Sequence, residues 1–378
     1  MPATMADTWA GRWQAAARHG NYPFEGLPAA DVEAAMAGVL PVFDGGDREV
    51  FTREFSRVAE PHAAAGRKAE ASADYARAKE EFTIAYGLYR LARFPCVNSP
   101  AKREAYGLAQ DCILRAYARD PAPIRRVEMP FAGKPSEGRH VVGYLRMPAG
   151  ISRPPVLIAW AGIDSFNEDW TLRTEAFLAA GMATLAIDMP GTGDAPLLYS
   201  ENAERLWDAI FAWIEAQPDL DAARIGGWGG SDGGYWATKL AHTHRARFKG
   251  VISQGGGAHI LFTAEWIAKA QRVGNPWGIA ETRGHAAGVP SYDGWVARAP
   301  AMSLLTQGVL DQPCAPLLCI NGVRDMITPI EDYYLLLQHG SPKYARFYDG
   351  IHMGMTADGT QSHIVPVMVE WMRARLGL

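Results

Sequence analysis

Apolar residues gather into short, nearly unbroken runs through the second half of the chain. Val156-Leu157-Ile158-Ala159-Trp160, Ala183-Thr184-Leu185-Ala186-Ile187-Asp188, Gly250-Val251-Ile252-Ser253 and Pro316-Leu317-Leu318-Cys319-Ile320 predict strands buried on both faces. Trp170 to Ala180, Ala203 to Ile214 and Tyr235 to Ala241 lie between them with helical spacing. Ala345-Arg346-Phe347-Tyr348 predicts another strand, and Val365 to Leu376 a closing helix. Ahead of this series, Arg125 to Phe131 and Val141 to Met147 alternate like two antiparallel strands joined by a turn-rich Gly133 to Gly138 segment. Strands and helices in alternation predict a doubly wound, mostly parallel α/β sheet covered on both faces.

The first part of the chain has a different rhythm. From about Trp9 to Tyr117 it is rich in Ala, Arg, Glu, Tyr and Leu at helical spacing, with Tyr75, Phe82, Tyr86, Tyr89 and Phe94 falling along one face. The character changes at Pro121-Ala122-Pro123, which predicts a helical N-terminal cap domain over 1–122 and a catalytic domain over 123–378. The aromatic stripe is expected to pack the helical interior, although rings on a cap facing a catalytic mouth would also line a pocket. A second break runs from Gly255 to Leu310, with Gly255-Gly256-Gly257, an amphipathic Phe262 to Ala270 and a loop rich in Gly, Trp, Pro and Tyr. Such an insertion in a catalytic domain is expected to act as a lid that encloses substrate.

The chemistry centres on Gly226-Gly227-Trp228-Gly229-Gly230-Ser231-Asp232-Gly233-Gly234-Tyr235, where an apolar run ends in a serine packed between glycines and a helix follows. Gly229-x-Ser231-x-Gly233 has the form of a nucleophile elbow, a sharp strand-to-helix turn that exposes the serine hydroxyl. A serine hydroxyl is a poor nucleophile at neutral pH and needs a base held in place by a third group. Asp325 follows the strand ending Ile320-Asn321-Gly322, and His352 follows the next strand within Tyr348-Asp349-Gly350-Ile351-His352, so neighbouring strand ends would deliver acid and base beside Ser231. His363, His285 and His259 are rival bases, and Asp349 and Asp311 rival acids, but none has that strand-end placement.

A developing oxyanion needs two N–H donors. The backbone of Asp232, next after the nucleophile, should supply one, and Ile163 in the Ala161-Gly162-Ile163-Asp164-Ser165 loop the other, unless that loop is a plain strand-to-helix turn. The Asp232 carboxylate would oppose an oxyanion, so its side chain is expected to point away and to cap the helix.

Composition narrows the remaining choices. The chain has 378 residues, enough for two domains, with 48% hydrophobic residues and a net charge of −4, which gives no general footprint for nucleic acid or a polybasic membrane anchor. No basic segment leads into an apolar run at the start, and no stretch is long and apolar enough to span a bilayer. Cys96, Cys112, Cys314 and Cys319 form no CxxC pair, which fits reduced thiols and a cytoplasmic location. His242-x-His244 lacks partners for a metal site, and the absence of a GxGxxG fingerprint or a P-loop implies no cofactor. A small-molecule substrate is the expected partner.

The elbow, the Ala161 to Ser165 loop, the strand ending Asp188-Met189-Pro190-Gly191-Thr192-Gly193, and the Asp325 and His352 loops together resemble the α/β-hydrolase fold. The helical N-terminal region, running through Phe94-Pro95-Cys96-Val97-Asn98-Ser99-Pro100, is similar to the subgroup of FrsA-like esterases and 2,6-dihydropseudooxynicotine hydrolase, related to fungal enzymes that shorten polyketide pigments. The resemblance covers nearly the whole chain. It implies hydrolysis of an ester, or of a carbon–carbon bond beside a ketone, in an aromatic or polyketide-like small molecule, with Ser231, Asp325 and His352 as nucleophile, acid and base. Carbon–carbon hydrolases of the subgroup also use a carboxylate from the region after the elbow, for which Glu265 is the candidate here, and His259 is a candidate substrate contact in the lid. Members are often dimeric, so the resemblance leaves a homodimer open. Two other readings remain: a cyclase, acyltransferase or lyase on the same scaffold, and a binding protein whose serine is not used.

Overall fold

Asp74 and Ser99 each stand where a helix begins, and each side chain accepts the N–H three residues on, from Arg77 at 3.1 Å and Lys102 at 3.3 Å. With Pro100 in the first turn, these caps open the helices Tyr75–Ala92 and Pro100–Ala116, which follow Ala29–Val39 and Glu49–Ala71. The computed structural model of the chain describes residues 16–17, 19–39, 49–273, 278–340, 343–356 and 359–378. The expected start of the helical region near Trp9 lies outside these. The chain divides into Met1–Ile124 and Arg125–Leu378, two residues beyond the boundary the sequence suggests. Within the first unit the aromatic stripe is packing: Phe82, Tyr86, Tyr89 and Phe94 are buried, the Tyr89 hydroxyl donates to Glu60 at 2.8 Å, and only Tyr75 is exposed.

The second unit holds an eight-stranded sheet in the order β1-β2-β4-β3-β5-β6-β7-β8. Its strands are β1 (Arg125–Pro130), β2 (His140–Arg146), β3 (Pro155–Trp160), β4 (Ala183–Ile187), β5 (Asp221–Gly230), β6 (Gly250–Gln254), β7 (Leu317–Gly322) and β8 (Lys343–Tyr348). β1 pairs β2, and β2 pairs β4, antiparallel, while every pairing from β4 to β8 is parallel. Alternation along β3 explains its unbroken apolar run. Val156, Ile158 and Trp160 enter one core, shared with Trp207, Trp236 and Leu240, and Leu157 and Ala159 enter the other, shared with Met368 and Met372. Among the described residues no helix is long and apolar enough to cross a membrane.

Local chemistry shifts several expected elements. The helix expected over Trp170 to Ala180 is two, Asn167–Arg173 and Glu175–Ala179, broken at Thr174, whose hydroxyl turns back to the Thr171 carbonyl at 2.9 Å. The helix Ile330–Leu337, between β7 and β8, was not expected. The largest difference lies in 255–310, expected as one helix and a long loop. It contains the helices Ala264–Val273, Ile279–Ala286 and Tyr292–Arg298 with short 3₁₀ turns, the third opened by Ser291, whose hydroxyl accepts the Gly294 N–H at 3.0 Å. The segment is anchored from outside itself. Asp332, fully buried in Ile330–Leu337, accepts the N–H groups of Ala258, His259, Ile260 and Leu261 at 2.7–3.1 Å.

Two glycines separate close approach from ordinary helix propensity. A methyl group at Gly233 would overlap the Ala161 carbonyl, whereas one at Gly107, on the exposed side of Pro100–Ala116, meets nothing within 4 Å. Gly233→Ala is therefore expected to destabilise the second unit by about 2 kcal/mol or more, and Gly107→Ala to stabilise the first by about 0.5–1 kcal/mol. Thermal or urea unfolding of the two variants checks this, and equal shifts of the same sign would contradict it.

Candidate active site

One residue separates the end of β5 from the helix Asp232–Thr243, and that residue is Ser231, at φ 55° and ψ −127°. A side chain at positive φ costs on the order of 1–3 kcal/mol and persists only when its surroundings impose it. Here the Ser231 N–H donates to the Gln254 carbonyl at 2.7 Å, and its own carbonyl accepts the Gly234 N–H at 2.8 Å. The flanking glycines let the backbone close in. A Cβ on Gly229 would collide with the Gly233 carbonyl, and one on Gly233 would lie 2.8 Å from the Trp160 carbonyl oxygen. The Trp160 indole N–H donates to that same Gly233 carbonyl at 2.7 Å, tying β3 to the turn.

The Ser231 hydroxyl lies 2.9 Å from His352 Nε2, and His352 Nδ1 lies 2.7 Å from Asp325 Oδ2. Every other partner of Asp325 is a donor: Asn321 Nδ2 at 2.9 Å, Ile327 N–H at 2.7 Å and Thr328 N–H at 3.1 Å. A carboxylate so surrounded accepts from Nδ1–H, which leaves Nε2 of the neutral ring to accept the serine proton. Burial disfavours charge on this ring. The Asp325 carboxylate and its hydrogen bond outweigh that effect, with smaller help from Asp232 and Asp164, and the pKa of His352 lies above its usual 6.5. The loop that carries His352 is held by Gln254, whose Nε2 donates to the Met353 carbonyl at 3.1 Å.

The loop after β3 lies directly against the serine. A Cβ at Gly162 would stand 2.7 Å from Ser231 Cβ, 3.1 Å from its Oγ and 3.3 Å from the Asp232 nitrogen. Only a glycine admits this approach, and Ile163 follows it, buried. The N–H groups of Asp232, at the start of its helix, and Ile163 meet no acceptor among the described residues. The Asp232 side chain points away from the serine as expected, but it caps nothing. Both of its oxygens are taken by Arg283, Nε to Oδ1 at 2.8 Å and Nη2 to Oδ2 at 2.9 Å, because a buried carboxylate is better matched by a guanidinium fork than by the end of its own helix.

The rival residues lie elsewhere. His363 is exposed and packs edge-on to Tyr348, Asp349 pairs with Arg324 on the surface, and Asp311 pairs with His339. His285 sits in Ile279–Ala286, and no hydrogen bond joins it to Ser231 or Asp325. His259 Nδ1 is engaged with the Ser303 hydroxyl at 2.7 Å inside the 255–310 segment. Glu265 is exposed on Ala264–Val273 and bonds to none of Ser231, His352 or Asp325, so the structure does not bring it to them. His242 faces the Gln312 carbonyl and His244 faces Asp208, so they share no centre, and no cluster suited to a metal ion occurs among the described residues. All four cysteines are buried, and none is in a disulfide.

Gln254, Asn321 and Arg283 were absent from the expected set. Gln254 and Asn321 carry a faint signal as polar residues at the carboxyl ends of apolar strands, whereas nothing near Arg283 in the sequence connects it with Asp232, 51 positions away.

Residues 48–344 match the family described as Esterase FrsA-like. Esterase FrsA of Photorhabdus laumondii is 27% identical over 260 residues, 67% of this chain and 60% of its own length. Esterase FrsA of an Enterobacter species is 26% identical over 301 residues, 75% of this chain and 70% of its own. Among solved structures, 2,6-dihydroxy-pseudo-oxynicotine hydrolase superposes with a TM-score of 0.76 at 19% identity, covering 96% of this chain and 95% of that one. Wild-type AbyA5 superposes with a TM-score of 0.73 at 21% identity, covering 98% and 94%. The family match spans well over half of the chain, and the protein accordingly belongs to the FrsA-like esterase family, on an α/β-hydrolase fold.

Proposed function

We propose that the protein is a serine esterase acting on a small-molecule ester with an aromatic or polyketide-like part. One observation carries the reading: an unbroken hydrogen-bond chain from Asp325 through His352 to a serine held at a strained strand-to-helix turn. Ser231 Oγ attacks the carbonyl carbon as its proton passes to His352 Nε2, and Asp325 holds the ring in the required tautomer and stabilises the imidazolium. The tetrahedral oxygen accepts from the N–H groups of Asp232 and Ile163. His352 then gives the proton to the departing alcohol oxygen, which leaves an acyl group on Ser231. A water, deprotonated by the same nitrogen, attacks that acyl group and releases the acid and the free serine.

Cleavage of a ketone-adjacent carbon–carbon bond is the second reading, prompted by the likeness to 2,6-dihydroxy-pseudo-oxynicotine hydrolase. Its leaving group is a carbanion or enolate, and the carboxylate expected to assist it, Glu265, is exposed rather than gathered with His352. That placement favours the ester. The 255–310 segment, which holds Arg283 and His259, serves in this reading as the lid over the acyl site.

Turnover of p-nitrophenyl acetate is expected to fall by about 10⁶ in kcat for Ser231→Ala and for His352→Gln, with little further loss when both are combined, because the two act as one unit. Losses that multiply in the double variant would contradict the shared role. Activity requires neutral His352, so kcat/KM should decline as pH falls, with a midpoint above 6.5 in accord with the raised pKa of the ring. The ring's own titration, followed by NMR in Asp325→Asn, should move to lower pH, since the substitution removes the main charge favouring the imidazolium. A midpoint that stays in place would show that Asp325 does not set it.

A further inference from the structure

We infer that Arg283 is a positioning residue of the oxyanion site, acting through the Asp232 carboxylate to hold the N–H that follows the nucleophile; the inference rests on the esterase reading above. Arg283 comes from Ile279–Ala286 in the 255–310 segment, 51 positions from Asp232, and the pair is 2% and 1% exposed. Its helix is itself fixed. The Ala286 carbonyl accepts the Tyr199 N–H at 2.9 Å, and Gly191 passes so close to that carbonyl that a Cβ would overlap it. Tyr199, which makes that bond, stacks on Trp295 at 5.8 Å and 17° and meets Tyr235 and Trp236 edge-on.

A buried ion pair in such a setting is a poor source of stability, because desolvating the two charges costs about as much as their attraction returns. Its position explains it better. Asp232 lends its backbone N–H to a developing oxyanion while carrying a carboxylate of the same sign on the same residue. For an illustrative separation of about 5 Å and an effective dielectric constant of about 20, a bare carboxylate facing an oxyanion would slow the reaction by up to roughly a few hundredfold. The guanidinium removes that opposition and does so in a fixed direction. Because the fork engages both carboxylate oxygens, the side chain cannot swing back toward the free N–H groups at the start of its helix, and the first turn keeps its orientation. Arg283 also lies within electrostatic reach of Asp164, in the loop that carries the second donor, Ile163. Lysine, a single point charge without the fork, would neutralise Asp232 but not hold both oxygens.

The test compares wild type with Arg283→Lys, Arg283→Met, Asp232→Asn and the double variant Asp232→Asn/Arg283→Met. Steady-state turnover of p-nitrophenyl acetate is measured beside the affinity for phenylboronic acid, which forms a tetrahedral adduct on an active serine, and thermal unfolding reports on folding. Arg283→Met is expected to lose roughly tenfold to a hundredfold in kcat with KM changed less than about threefold, and to lose boronate affinity in parallel. Arg283→Lys and the double variant should each recover part of that loss, since in neither does a bare carboxylate face the oxyanion, while Asp232→Asn, which keeps Arg283 but loses the fork, should fall between them and wild type. Should Arg283→Met not fold, Arg283→Lys decides, with kcat and boronate affinity both below wild type in support and both unchanged against. Folded Arg283→Met with unchanged kcat and boronate affinity would overturn the inference. Wild type that neither turns over the ester nor binds boronate would instead overturn the esterase reading, and this inference with it.

Discussion

The site rests on one backbone constraint, the left-handed conformation of Ser231 between β5 and its helix. Nothing intrinsic to serine favours φ 55°. The conformation is imposed by the Gln254 carbonyl on one side of the residue, the Gly234 N–H on the other, and β3 pressing so close that Gly229 and Gly233 cannot carry side chains. Once it is imposed, the hydroxyl leaves the sheet at the only edge where the loops after β3, β6, β7 and β8 also end. The parallel pairing that brings those loops together follows from strands buried on both faces, which gives the unbroken apolar runs a consequence for chemistry.

Three buried aspartates around this edge show how one side chain takes three roles according to its partners. Asp325 is surrounded by neutral donors and an imidazole, so its charge is directed at His352 and raises that ring's affinity for a proton. Asp332 meets four backbone N–H groups and, among the described residues, no cation, and it acts as the fixed point from which the 255–310 segment departs. Asp232 is engaged by a guanidinium on both oxygens, which opposes its charge beside the serine while its N–H remains. The partner, rather than the burial that all three share, decides the role.

Much of this was legible in the sequence where the signal is local. The strand runs, the glycine-serine turn, the strand-end Asp325 and His352 and the division near residue 122 all depend on short stretches whose physics is self-contained, and the structure brings Ser231, His352 and Asp325 into one hydrogen-bonded line. The rest depended on partners remote along the chain. The helices Ile279–Ala286 and Tyr292–Arg298 bury residues against a core supplied by other elements, so their Gly- and Trp-rich stretch read as loop. Asp232 was expected to cap a helix because capping is the nearest local use for an aspartate at a first turn, and no pattern of spacing points to an arginine 51 residues away. Glu265 is suggested by the family resemblance alone, with no support from its own surroundings in the sequence, and it lies exposed.

The proposed chemistry requires Ser231 to be an activated nucleophile. Intact-mass spectrometry after exposure to a fluorophosphonate, on wild type and Ser231→Ala in parallel, measures that directly. A single adduct on wild type, mapped to the peptide containing Ser231 and absent from the variant, is the expected result. A folded wild-type protein that takes up no label, or one labelled equally in the variant, would contradict it.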